Sequence, residues 1–177
     1  MSNLKIFEKD LKSLLASQRL GVLATQERGQ PYTSLVAFTS SGDLKNLFFA
    51  TTRATRKYAN LTADPRVSMM IDNRSNMPSD FQNASAVTAS GRAEEVADPE
   101  RQTLLTAYIA RHPHLEDFVS ASSCAFLKIR VDTYYLVTHF QNVVEIQRWV
   151  VNVKMKSEMG RSYIAVNERH VFFEFRS

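Results

Sequence analysis

Between residues 21 and 50 the chain sets short apolar runs between turn residues, at a spacing that fits antiparallel strands and little else. Gly21-Val22-Leu23-Ala24-Thr25 and the run from Pro31 to Phe38 flank Glu27-Arg28-Gly29-Gln30, which reads as strand, glycine-containing turn and returning strand. Ser40-Ser41-Gly42-Asp43 makes the next turn and Leu44 to Ala50 returns, so the segment predicts an antiparallel meander. Val67 to Asp72 reads as a further buried strand, and Asn73 to Asn83 as polar loop. Ala84 to Val96 is a long strand with a bulge or close backbone approach at Gly91. Cys124 to Val137 and Val143 to Val153 supply two more. Helices are few. Ile6, Phe7, Leu11, Leu14 and Leu15 recur at helical spacing over residues 4–17. Asp98-Pro99 reads as N-cap and first residue of a helix that carries Leu104, Leu105, Tyr108 and Ile109 and ends near His112-Pro113. At least six strands with short connections predict a mainly β fold, a closed or nearly closed antiparallel barrel of six to eight strands with short α-helices.

The composition bounds what such a barrel can serve. With 177 residues, 44% hydrophobic and 23% charged, the chain can bury a full core in one domain, read as 1–150, with 151–177 as a C-terminal extension of unknown role. The 22 basic residues are scattered among 18 acidic ones for a net charge of +4, which suits an anionic small ligand better than a nucleic-acid groove. Cys124 stands alone beside Ala125-Phe126-Leu127 and reads as a buried structural thiol. The first residues carry no charged-then-apolar leader and no run is long enough to span a membrane, so the expected location is the cytoplasm.

The segment from Phe48 to Leu61 points to a ligand. An apolar strand, Phe48-Phe49-Ala50, runs into Thr51-Thr52 and then into Thr55-Arg56-Lys57 at the start of a helix. A helix start presents unpaired N–H groups and the positive end of the peptide dipoles, which favours an anion. Arg56 adds a planar fork of donors, Lys57 a compact charge, and the threonines further hydroxyl donors. An Arg-Lys pair in a first turn is most often solvated surface, so its meaning depends on the surrounding chain.

That surrounding chain resembles the pyridoxamine 5'-phosphate oxidase-like FMN-binding split barrels. Phe49-Ala50-Thr51-Thr52-Arg53-Ala54-Thr55-Arg56-Lys57 is similar to the family's phosphate segment, and Pro31 to Phe38 occupies the place of the strand along the isoalloxazine ring. Asn60 to Ser68 is similar to the helix-to-strand passage, and Val87 to Glu94 to the later glycine-containing strand; the likeness covers roughly residues 10–147. The resemblance implies FMN as cofactor. It implies that Arg56 and Lys57 hold its phosphate, that Thr51 and Thr52 lie near the ribityl chain or ring edge, and that Ser34, Leu35 and Val36 border the ring through main-chain groups. Asn73 is a further polar candidate. The resemblance also implies a homodimer with FMN at the subunit interface, residues 85–88 reaching the partner's flavin, and an FMN-dependent oxidoreductase acting on a small molecule.

Departures bear on the substrate. Phe38 stands where the oxidases place a substrate lysine, Ala86 where they carry a glutamine, and no C-terminal Arg-x-His matches; Arg169-His170 has the wrong spacing. A vitamin B6 phosphate is therefore not expected as substrate. No catalytic residue is visible, and no metal site: His112-Pro113-His114 reads as exposed helix-end punctuation. His139 would be the axial candidate if the barrel held haem, the alternative ligand together with a deazaflavin, and a non-enzymatic flavin-binding or flavin-sensing protein is the alternative role. Trp149, Phe172, Phe173 and Phe175 are expected to pack against the barrel or a partner.

Overall fold

The first hairpin turns on Arg28 and Gly29, whose φ values of 50° and 85° make the two-residue loop with a twist that suits antiparallel strands. It joins β1 (Leu20–Glu27) to β2 (Gln30–Ser40), paired from Leu20↔Ala37 to Glu27↔Gln30. This computed structural model describes residues 3–138, 142–147, 150–156, 161–167 and 170–173. Around the hairpin, β3 (Asn46–Thr52), β4 (Arg66–Asp72), β5 (Ser85–Glu95) and β6 (Cys124–Thr138) complete the order β6-β3-β2-β1-β4-β5, and β5 pairs back to β6. The result is a closed, six-stranded antiparallel barrel.

Gly91 is where the β5–β6 seam bends. The register passes from Ser90↔Thr133 to Gly91↔Val131, leaving Asp132 as the extra residue of a bulge. A Cβ at Gly91 would lie 2.0 Å from the Arg130 carbonyl oxygen, so no other residue fits without moving backbone.

β6 serves two partners along one edge. Its first half, residues 124–130, pairs with β3, and residues 133–138 pair with β7 (Asn142–Gln147). From there β8 (Val150–Lys156), β9 (Arg161–Asn167) and β10 (His170–Phe173) follow as an antiparallel ribbon. The single strand expected over residues 143–153 is thus two, folded back so that Gln147 faces Val150; apolar alternation continues through the reversal and hides it. Of the aromatic residues expected to cover the barrel, Trp149 and Phe175 lie outside the described residues, as do the side chains of Phe172 and Phe173.

Inward-facing residues fill the barrel: Leu23, Phe38, Leu47, Phe49, Met69, Ile71, Val87, Ala89, Ile129 and Leu136 are buried. The helix α1 (Asn3–Ser17) adds Leu11, Leu14 and Leu15 to this cluster, each contributing about 1.5–3 kcal/mol by burial. Outside, α4 (Glu100–Arg111) and α5 (Glu116–Ser120) follow the short helices α2 (Arg56–Ala63) and α3 (Asp80–Asn83) in the chain. The polar loop after β4 therefore contains α3. α4 starts one residue later than expected: Pro99 rather than Asp98 holds the cap position, no side chain caps the turn, and Ala97's carbonyl accepts from the Arg101 N–H at 3.1 Å.

α4 and α5 cover one part of the outer wall, burying Phe48, Phe126, Leu105, Tyr108 and Val119. Phe126 stacks on Phe48 at 6.0 Å and meets Tyr108 edge-on at 5.4 Å. On the other part, α3 stands beside Met70, its Asp80 and Phe81 lining one cavity with it. There Leu35, Val22, Met70, Thr88 and Tyr135 form one row across five strands, with Thr33, Ala24, Ser68, Ser90 and Thr133 beside it.

Candidate functional site

The wall opens where β2 leaves β3. Ladder pairs join the two strands at Phe38↔Phe49, Thr39↔Phe48 and Ser40↔Leu47, and stop there. Beyond Phe38, the edge of β2 over Ser34–Val36 has no strand opposite it among the described residues, so the ladder leaves its main-chain groups on that side without a strand partner there. Val36 is buried inward and Leu35 points outward, 64% exposed. Ser34 lies in register with the core residue Leu23, and its hydroxyl is buried with no hydrogen-bond partner among the described residues. A buried hydroxyl without a partner is costly, and a ligand group would satisfy it.

Facing this edge, Thr51 and Thr52 end β3 and α2 begins. Thr55 is the N-cap, accepting from the Tyr58 N–H at 3.4 Å. Its hydroxyl donates to the Thr52 carbonyl at 2.8 Å, so in the 3.0 Å contact with Thr51 the hydrogen comes from Thr51. Thr51 is buried and its one donor is spent inside the turn; Thr52, half-buried, is the threonine with a hydroxyl to offer. The expectation that both threonines supply donors is corrected to this extent.

The cations sit at the helix start. Arg56 stacks over the Tyr32 ring, 4.7 Å from its centroid, and its Nη2 lies 3.4 Å from Glu27 Oε2. Both members of that pair are about half exposed, at 51% and 55%, so solvent weakens it and an anion can displace the carboxylate. Lys57, half-buried, has no ion pair or hydrogen bond among the described residues. The nearby Arg53 is structural: it donates to the carbonyls of Ser122 (2.9 Å) and Cys124 (3.0 Å) and pairs with Glu95.

Of the expected residues, Ser34, Leu35 and Val36 stand on β2, Thr51 and Thr52 at the end of β3, and Arg56 and Lys57 in the first turn of α2. Asn73 follows β4, and its Oδ1 accepts from the Ser85 N–H at 2.7 Å, closing the β4–β5 connection. Tyr32 and the Ser34 hydroxyl are the features that sequence reading missed, because neither cation stacking nor an orphaned donor has a sequence signal.

Two other candidates resolve. His112 is not exposed punctuation but 7% exposed, with Nε2 donating to the Phe38 carbonyl at 2.8 Å; the ring is fixed against Tyr108 at 4.8 Å. Burial holds its pKa below the ordinary value. Cys124 is a free, buried thiol whose pKa burial raises, which suits structure rather than nucleophilic chemistry. Among the described residues no three His, Cys, Asp or Glu side chains group to hold a metal, and no helix is long and apolar enough to cross a membrane. His139 and Arg169 lie outside the described residues.

The fold is a closed six-stranded barrel with a capped helix and two cations after β3, and sequence comparison gives it a family. The model of the pyridoxamine 5'-phosphate oxidase family matches residues 7–138, and the chain belongs to that family. No curated protein matches it in sequence. Among solved structures, a haem-binding protein from Mycobacterium smegmatis is similar with a TM-score of 0.69 at 16% identity, covering 92% of this chain and 84% of its own. A FAD-binding protein from Mesorhizobium loti gives 0.59 at 21%, covering 73% and 90%. Atu2129 from Agrobacterium tumefaciens, of unknown function, gives 0.63 at 22% over 73% of this chain, which spans about half of that protein, 53%. At these identities the likeness establishes the fold.

Proposed function

We propose that this chain is an FMN-binding flavoprotein, an FMN-dependent oxidoreductase of the pyridoxamine 5'-phosphate oxidase family that acts on a small molecule as a homodimer. The observation that carries this reading is the opening between β2 and β3, bordered by an unpaired strand edge on one side and by Arg56, Lys57 and the α2 N-terminus on the other. The residues fit the cofactor: the orphaned Ser34 hydroxyl and the unpartnered Lys57 are what a bound polar, anionic group would satisfy.

FMN, when bound, supplies hydride or electron transfer to and from a substrate. The chain's own part is to hold and orient. Arg56 and Lys57 grip the phosphate through charge-assisted bonds, joined by the unpaired N–H groups of the first helical turn. Tyr32 keeps the Arg56 guanidinium in place before the ligand arrives, which lowers the ordering cost of binding. The β2 edge at Ser34–Val36 lines the flat part of the ligand with main-chain donors and acceptors. The uncovered outer rows, with Leu35 and Tyr135 64% and 37% exposed, support a second copy packing on this wall.

The test is an absorption spectrum of freshly purified protein, followed by FMN titration. The visible bands of oxidised flavin, at a stoichiometry of about one per chain, are the expected result. A Soret band instead of flavin bands overturns it in favour of haem.

A further inference from the structure

Three arginines stand in line across the outside of the barrel. Arg66 on β4 is opposite Arg92 on β5, and Arg92 is opposite Arg130 on β6; all three are exposed. Like charges directly opposite on neighbouring strands are destabilising, so such a row calls for counter-charge. Arg66 has it: its Nε and Nη2 donate to Asp64 Oδ2 at 2.9 and 2.5 Å. Arg92 and Arg130 have neither an ion pair nor a side-chain hydrogen bond among the described residues. Glu94, in the same region of β5, is taken by Lys128 at 3.3 Å.

The two uncompensated arginines line one cavity of about 360 Å³ together with Pro65, Ala93, Glu94 and Asp132, within the range of small-molecule sites. Its wall is fixed where the Ala93 N–H donates to the Pro65 carbonyl at 2.8 Å. Asp132 is the extra residue of the bulge opposite Gly91, and a bulge re-aims the side chain it carries. This carboxylate lines the cavity and also an adjoining one of about 830 Å³ beside Arg28, Arg66, Ser68 and Ser90, and it too has no ion pair or side-chain hydrogen bond among the described residues. Neither cavity is lined by Ser34–Val36, Thr51, Thr52, Arg56, Lys57 or residues 85–88.

A cleft with two free guanidinium forks and one free carboxylate suits a ligand that carries an anionic group and hydrogen-bond donors together. The forks match phosphate oxygens bidentately. The carboxylate accepts from hydroxyls and repels a bare anion. We propose that this cleft binds a phosphate ester of a polyol, either a free sugar phosphate or the sugar-phosphate part of a nucleotide, with Arg92 and Arg130 on the phosphate and Asp132 on the hydroxyls. The assignment stands on the cleft's own residues and does not rest on the flavoprotein reading.

The experiment titrates the full-length protein with ribose 5-phosphate, AMP and sulfate at constant ionic strength, followed by amide chemical shifts. Sulfate carries charge but offers Asp132 no donor. Ribose 5-phosphate is expected to bind saturably and at least about tenfold tighter than sulfate. Arg92→Ala and Arg130→Ala should each weaken it at least about tenfold, and Asp132→Ala should abolish its preference over sulfate. Lys12→Ala, which removes an exposed cation of α1, should leave it unchanged. Absence of saturable binding by both esters, equal affinity for ester and sulfate, or a preference that survives Asp132→Ala overturns the inference. So does a loss in Lys12→Ala as large as in the arginine variants. Loss of ester binding in Arg56→Ala combined with Lys57→Ala would put the ester in the opening beside α2 and also overturn it. The order of AMP and ribose 5-phosphate tells nucleotide from sugar phosphate as the source. FMN binding without ester binding would remove this site and leave the flavoprotein reading standing; ester binding without FMN binding would do the reverse.

Discussion

The outer wall of this barrel is built in two ways. Over β3 and the first half of β6, large aromatics point outward and are sealed by α4 and α5, and polar groups of α4 are spent on β2: Tyr108 donates to the Ala37 carbonyl at 3.1 Å and His112 to that of Phe38. Over β1, β4 and β5 the outward residues of the two rows are small or medium-sized, with only the four-residue α3 beside the ends of β4 and β5, and the Ser34 hydroxyl is left without a partner among the described residues at the adjoining β2 edge. The covered half is closed by its own helices; on the reading proposed above, the bare half is where a ligand and a second copy sit. Protein surfaces that keep polar atoms unsatisfied and apolar rows open do so where something else is to sit.

Phe126→Ala should show this most strongly. It removes the ring between Phe48 and Tyr108 and is expected to cost about 3–5 kcal/mol in urea unfolding. A loss under about 1 kcal/mol would mean the sealed half does not carry the fold. Next in size, Thr55→Ala should cost about 1 kcal/mol, because the α2 cap and its link to the Thr52 carbonyl go together.

His112 gives the covered half a pH signature. Burial lowers its pKa from the ordinary 6.5, the bond to Phe38 opposes the shift, and Arg111 and Arg19 add to it. The unfolded chain therefore takes up the proton first as pH falls. His112's contribution is complete above the unfolded value of 6.5 and declines below it, towards the folded pKa. His112→Gln should flatten that part of the stability profile; an unchanged slope would remove His112 as its source.

The smallest effect on stability, within about 0.5 kcal/mol, is expected for Leu35→Arg on the bare half. The same change should lower the assembly mass in light scattering from two chains to one. A variant that remains dimeric would move the interface elsewhere.

What could be read from the sequence follows the same division. Local chemistry was legible: Arg28-Gly29 announced the hairpin, Gly91 the bulge, and Thr55-Arg56-Lys57 the helix start, because each acts through its own backbone. Whatever depends on distant partners was not. His112 does end α4, as expected, but it looked exposed because its partner, the Phe38 carbonyl, lies 74 residues away. The hydroxyl of Thr51 looked available because the turn that consumes it appears only in three dimensions, and the β7–β8 reversal lay inside unbroken apolar alternation. Asn73 looked like a ligand residue until its amide oxygen met Ser85.

The central claim is that the opening beside α2 holds the phosphate of FMN, and parallel titrations with FMN and riboflavin test it most directly. Arg56→Ala combined with Lys57→Ala should weaken FMN by roughly 100-fold or more, since each charge-assisted bond contributes about 1.5–3 kcal/mol, while leaving riboflavin affinity and the fold unchanged. Equal FMN affinity in the wild type and the double variant would contradict the assignment.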